Sequence, residues 1–444
     1  MKKCLRHGLV LALTASLAAS VIAGRPQSRA FEPFVWDTAA PADCPFVPST
    51  AFAGVLFKGV HSEYRFADTW YPSWVSDGNL YSPYTDGDVN GVGSNSDGYA
   101  SIDEKHEGSV CSLLRKATTG QAVLVGDDPL HLMATNLGTV QADPYPYGGR
   151  YPCGSLVYNG VWYYGTYTLA PHAVTRFGPT AYNWPWLGPL VGFRTSLDLG
   201  KTWRETPHTP AKPLFGESGL WGYPVKIGDP HFVDFGRNME HSPDGKAYLV
   251  AMGAGPSDPK PRFENLSWIT ADQVYLLRVV PSVENINDPS KYEFYGGIDA
   301  GGKDVWTHDL AAAKPLLEWN NHMGCVTVTY DAPLKKYLMC VTDGGNTCSR
   351  MSTYILEADR LTGPWRMVTF MKDFGQPAYF VNIPSKFIGP DGHSAWLCYS
   401  ANFAPDWNNE KILPNPPGSR YGLVLQEIQL LTPAARRQWE SGKK

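Results

Sequence analysis

Asp68 and Asp229 are the carboxylic acids best placed for chemistry, in Ala67-Asp68-Thr69-Trp70-Tyr71 and Gly228-Asp229-Pro230-His231-Phe232. Each opens an apolar and aromatic run, where a strand is expected to begin. Two carboxyl groups flanking one bond, one protonated and one ionised, are what glycosidic hydrolysis requires. A second chemistry draws on His231, His322, Arg150, Asn321 and Tyr223. Elimination beside the carboxylate of a uronic acid needs a cation or amide to neutralise it, a base for the neighbouring proton and an acid for the leaving oxygen. Imidazole titrates near neutral pH and suits the base. Against these stand plainer readings: a histidine packed in a β core, and Asp229 as an Asx-turn cap. A third class has no chemistry. Trp70, Tyr71, Trp184, Trp186, Trp221 and Tyr223 stack on sugar faces in a binding protein, or simply pack.

The elements that must position these residues are strands. Apolar runs come in pairs joined by turn dipeptides: Ser76-Asp77-Gly78, Asn159-Gly160, Pro243-Asp244-Gly245, Asp331-Ala332-Pro333 and Pro390-Asp391-Gly392. Asn-Gly and Asp-Gly supply the positive φ angles of tight hairpins. A second strand pair follows each of the first four hairpins. The last run, Tyr421 to Leu431, has no partner behind it, and the N-terminal run Ala53 to Val60 supplies one. This predicts an all-β fold, a β-propeller of five four-stranded blades sealed by its N-terminal strand, which removes exposed sheet edges. A pair of β-sandwiches is the alternative. Thr432 and Pro433 open a short C-terminal helix. The first strand of each blade lines a propeller's channel, and its starting residues face the mouth. That ring is Asp68 and Trp70, Arg150 and Tyr151, Asp229 and His231, Asn320 to His322, and Tyr379 with Asn382.

Residues 1–23 read as a secretory signal peptide: Lys2, Lys3 and Arg6, then an apolar stretch from Leu9 to Ala23. The mature chain is therefore expected to be secreted or periplasmic, with an extension over 24–52, the propeller over 53–431 and the helix over 432–444. Gly 44, Pro 37 and 13% aromatic residues are spread evenly, so no linker divides it. The net charge of -4 offers no basic patch for nucleic acid, and no later segment is apolar enough for a membrane helix. A monomer is expected. Cys340 and Cys348 flank a turn and could close a hairpin; buried free thiols are the competing reading. Asp127-Asp128 and Asp86-Gly87-Asp88 offer oxygens to a structural calcium, though neither completes a calcium loop and turn capping competes. No cofactor is required by these readings.

Ser196-Leu197-Asp198-Leu199-Gly200-Lys201-Thr202-Trp203 matches the Asp-box pattern SxDxGxTW of sialidase-type propellers, where its role is structural. Asp229-Pro230-His231-Phe232-Val233, the following Asp244-Gly245-Lys246-Ala247-Tyr248-Leu249, and Thr362-Gly363-Pro364-Trp365 resemble blade motifs of five-bladed glycoside hydrolases of families 43 and 117. The resemblance implies a poly- or oligosaccharide substrate. It further implies Asp68 as base or nucleophile, Asp229 as modulator and a glutamate as acid, for which the loop before Asp229 supplies Glu217, with Glu240 just beyond the same strand read as a solvated turn residue. Substrate contacts then fall to Trp70, Tyr71, Arg150, Tyr223, Asn321 and Asn382. A polysaccharide lyase using the histidines, and a glycan-binding propeller without catalysis, remain as alternatives.

Overall fold

The computed structural model describes residues 29–62, 64–96, 116–170, 186–220, 224–255, 268–344, 350–401 and 415–442. The strands form five antiparallel sheets arranged as the blades of a propeller, and a separate two-stranded ribbon of Gly87–Val89 and Val92–Ser94. Blade one is Ser73–Trp74, Leu80–Tyr84, Ala117–Val125 and Met133–Ala142. Blade two is Gly149–Tyr158, Val161–Ala170 and Trp186–Ser196. Blade three runs Gly228–Phe232, Ala247–Gly253, Gln273–Val279 and Glu293–Ile298, then adds Asp304–Thr307 outside. Blade four is Gly324–Asp331, Lys336–Asp343, Ser352–Ala358 and Arg366–Met371. Blade five is Ala378–Asn382, Ser394–Ala401 and Val424–Leu430, completed by Val55–His61 from the other end of the chain.

The predicted ring closure is therefore present: Leu430 pairs with Val55, and Gln429 with Leu56. The blades are not uniformly four-stranded. The fourth strand of blade two shrinks to one bridge between Thr195 and Arg204. The chain there carries Pro207, Pro210 and Pro213, which cannot donate to a ladder. The N-terminal segment shields the edges of two blades. Phe34–Val35 pairs with the closing strand, while Thr38 and Pro48 bridge to Phe370 and Met367 of blade four. The helix Pro433–Ser441 starts at Thr432, whose hydroxyl accepts the Ala435 N–H. No helix among the described residues is long and apolar enough to cross a membrane.

One irregularity shapes the channel. In blades two to five the innermost ladder slips between Pro152 and Ser155, Gly228 and His231, Gly324 and Thr327, and Tyr379 and Asn382. The bulges hold Asp229, Cys325 and Phe380 at φ 44, 34 and 56°, and Thr69 in blade one stands at 64°. Left-handed backbone at residues other than glycine costs on the order of 1 kcal/mol each, and such outliers concentrate where side chains must be re-aimed.

Candidate active site

The first cluster lies where blade one meets blade five. Asp68 and Thr85 exchange backbone hydrogen bonds of 2.9 and 3.0 Å, which brings Asp86, the next residue, beside Asp68. Asp86 takes φ 50°, a left-handed turn that aspartate tolerates, and its Oδ1 accepts the Ser96 N–H at 2.8 Å. Asp68 is buried, and three hydroxyls surround it. Thr69 donates to Oδ1 at 2.9 Å and Tyr379 to Oδ2 at 2.9 Å. Tyr421, reaching in from blade five, donates to the Asp86 carbonyl and lies within hydrogen-bonding reach of the Asp68 carboxyl. Burial, and then the charge of Asp86, hold Asp68 well above the usual carboxylate range; the three hydroxyls act the other way.

The second cluster fills the channel. His231 Nε2 stands 3.2 Å from Asp229 Oδ1, outside hydrogen-bonding alignment, and its ring lies 3.8 Å from that of Tyr71. Tyr71 meets Phe380 edge-on at 5.2 Å, and Phe380 meets Trp268 at 5.2 Å. Trp268 in turn meets Tyr379 edge-on at 5.3 Å, so aromatic rings connect the two clusters. Asp229 is 0% and His231 2% exposed. Both carboxylate oxygens, both ring nitrogens and the Tyr71 hydroxyl lack a hydrogen-bond partner among the described residues. Burial raises the Asp229 carboxyl, with His231 opposing, and raises the Tyr71 phenol further beside that carboxyl. A small pocket opens under His231 between Ser155, Asp234, Thr327 and Asn382.

The remaining expected residues are engaged elsewhere. Arg150 bonds Thr166 Oγ1 and Glu205, the same glutamate that Arg194 holds at 2.8 Å, so its guanidinium is committed inside blade two. Glu217 accepts the N–H groups of Lys226 and Ile227 at 2.7 and 3.0 Å, clamping the loop that leads into Asp229. Burial lifts its carboxyl above the ordinary value. Trp70 is buried, with its indole N–H on Ala67 O. Asn382 gives its amide to the carbonyls of Trp70 and Phe380. Asn321 accepts from Thr270. His322 bonds Asp343 at 2.8 Å and stacks on Trp319 at 4.1 Å, under Asp43 of the N-terminal segment. Its pKa is raised: burial lowers it, and the carboxylates of Asp343, Asp43 and Asp272 outweigh burial. Tyr223, Trp184 and Trp221 lie outside the described residues, as does Cys348, the expected partner of buried Cys340.

The oxygens proposed for calcium also have partners. Asp127 pairs with Lys386, Asp128 with His131, and Asp88 caps Gly91. Among the described residues no three His, Cys, Asp or Glu side chains gather as a metal set. In the turn Ser196–Trp203, Asp198 bonds Ser196 and Thr202, and Trp203 packs edge-on against Trp162 at 5.2 Å. Sequence reasoning named Asp86 only as a calcium oxygen or a turn cap, and Tyr421 only as the start of the last strand. The signal for Asp86 was present: Thr85-Asp86-Gly87 ends the strand that must fold back beside Asp68.

No family model matches this chain, and no curated protein matches it. Solved structures do. An α-L-arabinofuranosidase from Podospora anserina, determined with cellotriose, is 13% identical at TM-score 0.42, over 88% of this chain and 96% of that one. A thermostable family-43 glycoside hydrolase is 12% identical at TM-score 0.39, over 82% and 88%. A family 117 glycoside hydrolase of the marine bacterium Zobellia galactanivorans is 13% identical at TM-score 0.40, over 92% and 91%. Likeness at this identity and TM-score assigns no chemistry to this chain.

Proposed function

We propose that the protein is an exported glycoside hydrolase acting on a poly- or oligosaccharide at the joint between blades one and five. The observation that carries this reading is the Asp68–Asp86 carboxyl pair. Paired carboxyl groups whose surroundings separate their protonation are the working parts of glycosidic cleavage. Asp68, kept protonated by burial and by its neighbour, gives its proton to the glycosidic oxygen as the C–O bond breaks. Asp86, hydrogen-bonded by the Ser96 amide and half-buried, is the carboxylate that meets the anomeric carbon, directly or through a water. One water is added across the bond, and Asp68 regains its proton. Asp229, His231 and Tyr71 connect to the site through the rings of Phe380, Trp268 and Tyr379, and Glu217 fixes the loop that carries Asp229. Arg150, held by Glu205, makes the elimination reading the weaker one.

The test is incubation of purified protein with plant, algal and bacterial polysaccharides, read by product mass. Fragments carrying one added water, lost in Asp68→Asn and in Asp86→Asn with circular dichroism unchanged, are expected. Fragments with an unsaturated end would replace the hydrolase with a lyase. Glycan binding without fragments would leave a lectin.

A further inference from the structure

Tyr379 holds a position that its phenol alone explains. It opens the innermost strand of blade five, while Asp68 precedes that of blade one, so the 2.9 Å bond from its hydroxyl to Oδ2 crosses the joint that closes the ring. The phenol is 1% exposed. Trp268 meets it at 5.3 Å with planes 77° apart, and Phe380 at 5.1 Å with planes 71° apart. Edge-on contacts at these separations are a favoured aromatic geometry. Phe380 is itself held in left-handed backbone at φ 56°, which makes room for two successive aromatic rings to face different neighbours. On the opposite oxygen the Thr69 hydroxyl completes the grip.

We infer that Tyr379 is a positioning residue, whose hydroxyl directs the Asp68 carboxyl and sets the balance between its protonated and ionised forms. The inference rests on Asp68 being the acid of the proposed hydrolase, but the grip itself is independent of any substrate. Tyr379 does not touch the sugar; it acts through Asp68. The ionisable groups facing Asp68 are Asp86 from blade one and Tyr379 and Tyr421 from blade five. Asp86 favours the protonated carboxyl by repulsion, and a phenol donating to an oxygen favours the ionised one. Removing the phenol therefore raises the Asp68 midpoint and leaves its carboxyl freer to rotate.

Tyr379→Phe tests this by two readouts. The first needs no glycan: the infrared carboxyl band of protonated Asp68, isolated as wild type minus Asp68→Asn, is followed with pH. Its midpoint is expected to move up by about one unit in Tyr379→Phe, since one hydrogen bond to a charged group is worth roughly that much. Tyr421→Phe is expected to move it the same way, which keeps the idea exposed should Tyr379→Phe fail to fold. Tyr292→Phe removes another buried phenol, bonded to Ile286 O in blade three, and is expected to move nothing. The second readout is hydrolysis of whichever glycan the wild type cleaves. In Tyr379→Phe, kcat is expected to fall about tenfold with KM unchanged, and the alkaline limb of kcat to rise with the midpoint. An unmoved midpoint, or an equal shift in Tyr292→Phe, overturns the positioning role. A shifted midpoint in a protein that cleaves no glycan upholds the role and sinks the hydrolase.

Discussion

The hydroxyl of Tyr379 and Oδ2 of Asp68 are 2.9 Å apart across the joint between blades five and one. It crosses that joint together with Asn382 on Trp70 O and Tyr421 on Asp86 O, and it ends on a carboxyl that burial has made reluctant to ionise. Stability and chemistry consequently pull in opposite directions at Asp68.

Asp68→Asn is expected to lose about a thousandfold in kcat, the usual contribution of a placed general acid, and to melt at a higher temperature than wild type at pH 8. The sign follows from linkage. A carboxyl whose folded pKa lies above its unfolded value contributes stability that is full below the unfolded value and is lost as pH rises through the folded one. The amide has no such loss. Calorimetry at pH 4 and pH 8 checks it: the advantage should appear only at the higher pH.

Asp331 offers the same test far from the site. It is 0% exposed, with Oδ2 unpartnered, and its carboxyl is pushed up to about 6, mainly by burial. Wild-type stability should therefore fall between about pH 4 and pH 7 by roughly 2–3 kcal/mol from this group. Asp331→Asn should flatten that slope in urea titrations across the range. The Leu334 N–H, which Oδ1 accepts at 3.1 Å, keeps an acceptor in the variant.

Glu205 separates two buried guanidiniums, accepting from Arg150 at 2.9 Å and Arg194 at 2.8 Å. Glu205→Ala leaves both cations facing each other without a counter-charge. Unfolding in urea should show a loss of about 2–4 kcal/mol, the lower half being favoured because the glutamate itself is 42% exposed. A loss within experimental error would mean that solvent already screens the cluster.

Glu217→Gln is expected to keep kcat within about threefold, because a glutamine oxygen can still serve one of the two amides that Glu217 accepts. Glu217→Ala leaves both amides unmet and should cost about 1–3 kcal/mol of stability. A loss of kcat comparable with that of Asp68→Asn would return Glu217 to the role of acid.

The architecture was legible because hairpin turns are local. Asn159-Gly160 adopts φ 49 and 79° between Tyr158 and Val161, as that dipeptide favours, and the unpaired run ending in Leu431 called for the partner that Val55–His61 supplies. Asp68 and Asp229 stand out for a related reason: one precedes the innermost strand of its blade and the other lies at the start of it. The rest depended on what no local pattern carries. Asp86 meets Asp68 only through the register of Thr85, and Tyr421 only because the ring closes. Arg150 and Glu217 read as reactive groups, yet their partners, Glu205 and two backbone amides, are contributed by residues whose approach is fixed in three dimensions. The prolines after Trp203 would have shortened blade two, had their missing donors been counted.

The closing strand also has a bearing on how the molecule comes to exist. Val55–His61 hydrogen-bonds to Val424–Leu430, nearly the whole domain away in sequence, so the last sheet is expected to close late, because its distant halves carry the larger loop-closure cost. Until then the unfinished fifth sheet presents a bare edge that any identical strand fits equally well. Crowded folding intermediates should therefore exchange these strands between copies, giving intertwined dimers whose proportion rises with concentration during refolding and which, once annealed, part only on unfolding.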